Sequence, residues 1–188
     1  MTAYQAIYDE AIGNYGLITS AQAKALGISN ETLVKLAFRG RLERIAYGVY
    51  RIQHYVPNSE GLDPYACAVA KVGDGANLWG PSVLAVHHLC LTNPSRIYVA
   101  TPSRYRRKAS PMLVVKDCAG EAEGENYEGI RIQPVADTIV SSQHIVMLDR
   151  LLEAARAGSD RGLFSPQKRE QIVKELYIHD QEIVGGLG

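Results

Sequence analysis

Between residues 17 and 52 the spacing of apolar and polar positions changes period, from helical to alternating. Thr19 stands three residues before Gln22, a spacing at which hydroxyl and amide each satisfy an open helix N–H, and Gly27 suits a C-terminal stop. Ser29 is placed to cap a second helix running through Arg39, with Gly40 to end it. At 100° per residue, Glu31, Thr32, Lys35 and Arg39 fall on one arc of this helix. Leu33, Val34, Leu36, Ala37 and Phe38 take the remainder, which predicts a polar, reachable face opposite an apolar one. Residues 42–45 and 49–52 are then short β-prone runs around Ala46-Tyr47-Gly48, a hairpin signal. Residues 4–12 supply a preceding helix with Ala6, Ile7, Ala11 and Tyr8 as its inward positions. Three helices followed by a hairpin is the plan of a winged helix-turn-helix.

Residues 53–64 turn polar, with Pro57, Asn58, Ser59, Gly61 and Pro64, so 57–64 is read as a linker between domains at 1–56 and 65–188. The second region predicts a helix at 65–72, a short strand at 76–79, a helix at 82–89, and strands at 97–100, 113–116 and 130–133. Met147, Leu148, Leu151, Leu152 and Ala155 make one helical stripe; Ile172, Val173, Leu176 and Tyr177 make another, opened by Ser165 and Pro166. Gly185 to Gly188 should fray. The expected class is α+β: a winged helix-turn-helix, then a mixed α/β domain with a small sheet and terminal helices.

Charge sharpens this picture. The chain has 188 residues, 46% of them hydrophobic, and a formal net charge of zero, so any affinity for polyanions must come from local segregation. Lys35, Arg39, Arg41, Arg44 and Arg51 face one acid, Glu43, over residues 35–51. In a winged domain, Thr32, Lys35 and Arg39 would enter the major groove, Arg41, Arg44 and Arg51 would hold phosphates, and Tyr47 would reach the duplex from the wing tip. The alternative is a solvated face or a protein-binding module. A second run, Arg96 to Lys116, carries six bases and no acid; Asp117 to Glu128 carries five acids and no base. Within the former, Arg104, Arg106, Arg107 and Lys108 surround Tyr105 in a loop bounded by Pro102 and Pro111, either a partner surface for protein, DNA or RNA, or a solvated hairpin tip.

Other chemistry is sparse. Cys67, Cys90 and Cys118 are odd in number and widely spaced, and no signal peptide or long apolar run accompanies them, which predicts buried free thiols in a reducing cytoplasm and no membrane partner. A zinc site would need His87 and His88, but neighbours on a helix point 100° apart; one ring is expected in the core with its N–H satisfied. Gly73-Asp74-Gly75 lacks the Gly spacing and Lys-Ser/Thr of a phosphate loop, and no nucleophile elbow is present. Trp79, Tyr50, Tyr55 and Tyr65 are read as packing. Neither enzyme activity nor a cofactor is expected. A nuclease would have to rest on Lys116 and Asp117, without an upstream acidic partner.

The segment G-L-I-T-S-A-Q-A, then A-L-G-I-S and L-x-x-L-x-x-R-G-R-L-x-R-x-x-x-G-V-Y-R resembles the N-terminal winged domain of the AbiEi-type antitoxins of bacterial type IV toxin–antitoxin systems. Its matching positions include Gly16, Thr19, Gln22, Leu33, Leu36, Arg39, Gly40, Arg41, Arg44, Gly48, Tyr50 and Arg51. A weaker likeness continues through G-P-S-V-L-A-V-H-H-L, R-I-Y-V-A-T-P, G-I-R-I-Q-P-V-A-D-T-I and R-G-L-F-S-P-Q. The resemblance implies an autorepressor that binds inverted repeats in its own promoter, with a second domain that counteracts a nucleotidyltransferase toxin. Family members usually place several arginines in the recognition helix. Here that stretch reads Asn30, Glu31, Thr32, Leu33, Val34, Lys35, which implies weaker phosphate attraction. Two further readings stay open: a stand-alone regulator with a sensor domain, and a DNA-reading nuclease.

Overall fold

The computed structural model describes residues 2–57, 61–118 and 124–185, with side chains of the last helix described through Ile178. Parts of the expected linker (Asn58, Ser59), two acids of the 117–128 run (Glu121, Glu123) and Gly186 to Gly188 lie outside the described residues. The chain forms two compact units, residues 1–76 with 128–130, and residues 77–127 with 131–188. The division falls after Ala76, beyond the 57–64 segment, so the helix at Asp63–Val72 groups with the first unit.

In the first unit, α1 (Ala3–Ile12) starts where the Thr2 hydroxyl accepts from the Gln5 N–H at 3.2 Å. Strand β1 (Leu17–Thr19) leads into α2 (Ser20–Ala25), where the expected capping box is formed: Thr19 N–H donates to Gln22 Oε1 at 2.9 Å and Gln22 N–H to Thr19 Oγ1 at 3.2 Å. The Ser29 hydroxyl caps α3 (Asn30–Phe38) by accepting from the Thr32 N–H. Gly27 and Gly40 take positive φ, 75° and 68°, just past the two helices. The hairpin follows as β2 (Leu42–Ala46) and β3 (Val49–Ile52), with β1 paired antiparallel to the other side of β3. Each element contributes to one core: Ile7 and Ala11, Ile18, Ala23, Ile28, Leu33, Leu42, Tyr50 and Ile52. Helix α4 (Asp63–Val72) closes the unit.

The second unit is built on a five-stranded mixed sheet, order β6-β5-β4-β8-β7. Its strands are β4 (Asn77–Leu78), β5 (Ile97–Thr101), β6 (Leu113–Asp117), β7 (Glu125–Tyr127) and β8 (Ile130–Ile132). Strand β4 runs antiparallel to β5 and parallel to β8. Helix α5 (Pro81–Val86) stops short of the predicted Leu89, and α6 (Val135–Ser141), α7 (Leu148–Asp160) and α8 (Pro166–Gly185) pack on one another. Gln133 joins sheet to α6. Its buried Oε1 accepts from Gly80 N–H, Thr138 Oγ1 and Ser141 Oγ at 3.1–3.3 Å, so a polar side chain is satisfied inside the core. The Ser165 hydroxyl caps α8 as predicted, and Ile172 and Leu176 are buried while Met147 and Tyr177 of the expected stripes are exposed. The fold is α+β, as the sequence implies.

Strands β5 and β6 are parallel neighbours, with Ile97 opposite Leu113 and Thr101 opposite Asp117. The basic segment at 102–112 is therefore not the tip of a hairpin. It must carry the chain back along β5, roughly 16 Å for a five-residue strand, a return usually made by a helix.

Candidate functional site

In the first unit, the face that α3 turns outward is set by what its other side must bury. Leu33 is fully buried and Leu36 and Ala37 pack against the same core, which fixes the helix rotation. The outward arc then holds Asn30, Glu31, Val34, Lys35, Phe38 and Arg39, all exposed. This corrects the sequence expectation for two residues. Val34 and Phe38 lie on the solvent side, 53% and 93% exposed, because the apolar sector of α3 is wider than the core beneath it. Thr32 is half-buried in the first turn, its hydroxyl 3.1 Å from that of Ser29.

Lys35 and Arg39 are both exposed, and Lys35 Nζ meets Glu31 Oε1 at 2.6 Å one turn earlier. An exposed i,i+4 pair of this kind is worth only about 0.3–0.5 kcal/mol, so the ammonium is readily recruited by a stronger anion. Arg41 follows at the start of the hairpin with its guanidinium 5.2 Å from the Tyr4 ring centroid. Arg44 Nε donates to Ala46 O at 3.4 Å and its guanidinium lies 5.7 Å from the Tyr47 ring, so cation and aromatic share the wing tip, where Tyr47 is 76% exposed.

Arg51 stands apart from these groups. Tyr50 lies opposite Arg44, and Glu43 opposite Arg51, so the two arginines project from opposite faces of the hairpin. Arg51 is half-buried, its guanidinium 5.8 Å from the Tyr55 ring and its Nε buried with no hydrogen-bond partner among the described residues. The fold thus brings Lys35, Arg39, Arg41, Arg44 and Tyr47 to exposed positions of helix and wing, and holds Arg51 as a packing arginine.

The second unit exposes Arg104, Arg106, Arg107 and Lys108 along the β5–β6 return. Tyr105 anchors it: its N–H donates to Asp117 Oδ1 at 3.1 Å, and its half-buried ring lies 5.9 Å from the Arg107 guanidinium. Asp117 is thereby committed to holding the loop. Lys116 packs its ammonium 4.1 Å over the buried Trp79 ring. Among the described residues no cluster of three or more His, Cys, Asp or Glu stands at metal-binding spacing.

His87 is buried against the Tyr127 ring at 4.2 Å while His88 is exposed, so the pair is split between core and surface. Neither ring nitrogen of His87 has a hydrogen-bond partner among the described residues, contrary to the expectation of a satisfied N–H. Burial, with the charges of Arg161 and His88, lowers its pKa from 6.5 to about 4, so the ring is neutral at physiological pH. Cys67, Cys90 and Cys118 are free thiols; burial pushes Cys90 up to about 11, beyond useful nucleophilicity. Tyr50 is core, as read from sequence, and burial raises the Tyr65 pKa.

No curated protein matches the chain. Among solved structures it is similar to the RV2827C protein from Mycobacterium tuberculosis, at 12% identity and a TM-score of 0.39, covering 93% of this chain and 82% of that one. No described helix is long and apolar enough to cross a membrane. The family model described as transcriptional regulator, AbiEi antitoxin, matches residues 5–53, which span α1 through the wing. Over that stretch, about a quarter of the chain, the sequence is similar to the AbiEi antitoxin transcriptional regulators.

Proposed function

We propose that this protein is an antitoxin and transcriptional autorepressor of a type IV toxin–antitoxin operon. Its first unit binds inverted repeats in promoter DNA, and its second counteracts a nucleotidyltransferase toxin. The observation that carries the reading is the set of exposed cations on α3 and the wing, Lys35, Arg39, Arg41 and Arg44 with Tyr47, within the segment that matches the regulator family. Lys35 and Arg39, with Thr32 at the helix start, enter the major groove, while Arg41 and Arg44 hold phosphates and Tyr47 meets the flanking backbone. In the second unit, Arg104, Arg106, Arg107 and Lys108 form the surface for an anionic partner, held open by the Tyr105–Asp117 bond. The protein acts by binding, without catalysis or a cofactor, in the cytoplasm.

A second reading, the stand-alone regulator, is favoured by a 340 Å³ cleft in the second unit lined by Lys116, Asp137, Ser141, His144, Lys168 and Glu175, large enough for a small effector. Co-expression with the product of the adjacent open reading frame, beside a reporter under the upstream promoter, separates the two. The antitoxin reading expects restored growth and a silenced reporter, with Arg106→Glu/Arg107→Glu losing rescue and Lys35→Ala/Arg39→Ala losing repression. Repression without rescue favours the sensor reading, and rescue retained by the first variant together with repression retained by the second contradicts the assignment of surfaces.

A further inference from the structure

The chain contains two phenylalanines, and one of them, Phe38, is 93% exposed on the outward arc of α3. Val34 lies one turn earlier on the same arc at 53% exposure. Together they form an apolar ridge with the Glu31–Lys35 pair on one flank and Arg39 beyond it, followed in the chain by the exposed Arg41 and Arg44. Such a ridge has neither donor nor acceptor with which to read the polar edges of bases. In the major groove of a duplex the one apolar group on display is the C5 methyl of thymine. The cationic rim selects a polyanion over an apolar protein surface as the occupant.

We propose that Val34 and Phe38 recognise thymine methyl groups, so that this helix specifies its operator through thymines where other recognition helices use arginines against guanine. The inference rests on the DNA-binding reading above. Four residues of helix rise about 6 Å, and base pairs along one strand step by about 3.4 Å, so the two side chains span methyls one or two steps apart. The helix then obtains specificity from the ridge and leaves phosphate attraction to Arg41 and Arg44.

The test uses the full chain and the duplex immediately upstream of its reading frame, amplified once with thymidine and once with deoxyuridine triphosphate. The two probes share every base-pairing edge and differ by the methyls alone. The parent protein is expected to prefer the thymine duplex about fifteenfold, each of the two buried methyls being worth roughly fourfold. Val34→Ala/Phe38→Ala should bind both probes equally, with the salt dependence of the parent, and Phe38→Leu should keep much of the preference. Neither side chain belongs to the core, so the variants fold. Equal binding of both probes by the parent, a preference retained by the double variant, or a smaller assembly on sedimentation of that variant overturns the proposal. If the parent binds neither duplex at low salt, the DNA-binding reading itself has failed.

Discussion

Glu31 Oε1 accepts from Lys35 Nζ at 2.6 Å on the exposed side of α3, so the acid in the helix's first turn occupies the ammonium of its own i+4 neighbour. Both side chains are well exposed, 75% for Glu31 and 62% for Lys35, and the pair is correspondingly weak. Its consequence is for binding rather than stability. Glu31→Gln should raise affinity for promoter DNA by about twofold and steepen the salt dependence by roughly one ion as the Lys35 ammonium is released toward the polyanion. Titrations at several salt concentrations measure both quantities, and an unchanged slope would mean that Lys35 stays clear of the duplex.

The opposed faces of Arg44 and Arg51 divide the wing arginines into two roles. Arg44→Ala should weaken binding to any duplex and flatten the salt slope by about one unit, leaving thermal stability near that of the parent. Arg51→Ala should do the reverse, because its half-buried guanidinium packs near Tyr55 and its Nε is buried. A loss of roughly 1–2 kcal/mol in denaturation, with little change in slope, is expected. Identical binding defects for the two variants would show that the hairpin faces are misassigned.

His87 makes stability depend on pH. Its folded pKa of about 4 lies below the ordinary 6.5, so between these values the unfolded chain takes up a proton that the folded one refuses. The contribution is therefore complete above pH 6.5 and is lost as the pH falls toward 4, by at most roughly 3 kcal/mol. His87→Phe keeps an aromatic ring against Tyr127 and removes the titration. Denaturation of parent and variant at pH 7 and pH 4.5 should show the parent losing more stability on acidification; parallel losses would remove His87 from the account.

Gly158 of α7 is a position where the backbone must be bare. A Cβ there would lie 2.6 Å from Cε1 of Phe164 and 2.7 Å from Cζ, inside van der Waals contact. Gly158→Ala should destabilise by about 1–3 kcal/mol despite the better helix propensity of alanine. In a Phe164→Leu background the same change should cost less or stabilise, by up to about 1 kcal/mol. Additive effects in the double-mutant cycle would show that the two sites do not touch.

Much of the winged domain was legible because its helices are bounded by local chemistry. The Thr19–Gln22 box, the Ser29 cap and Gly40 act within a turn of themselves, and the structure keeps each of them. Strand β1 was hidden because its three residues run directly into the cap of α2, and β7 because Glu125, Asn126 and Tyr127 have little apolar alternation. The rotation of α3 is hidden from the sequence for a different reason. Five apolar residues span more arc than one core can bury, and the packing of Leu33, Leu36 and Ala37, a tertiary fact, left Val34 and Phe38 in solvent. The role of Arg51 depended on strand register, and the parallel pairing of β5 with β6 on a topology that residues 102–112 do not encode locally.

The central claim, that α3 and the wing grip a duplex, is tested most directly by titrating the upstream promoter duplex with the parent protein and with Lys35→Ala/Arg39→Ala across a range of salt. The account predicts steeply salt-dependent binding by the parent, and for the variant a loss of at least tenfold with a slope shallower by about two ions. Equal affinity and equal slope for the two proteins would contradict it.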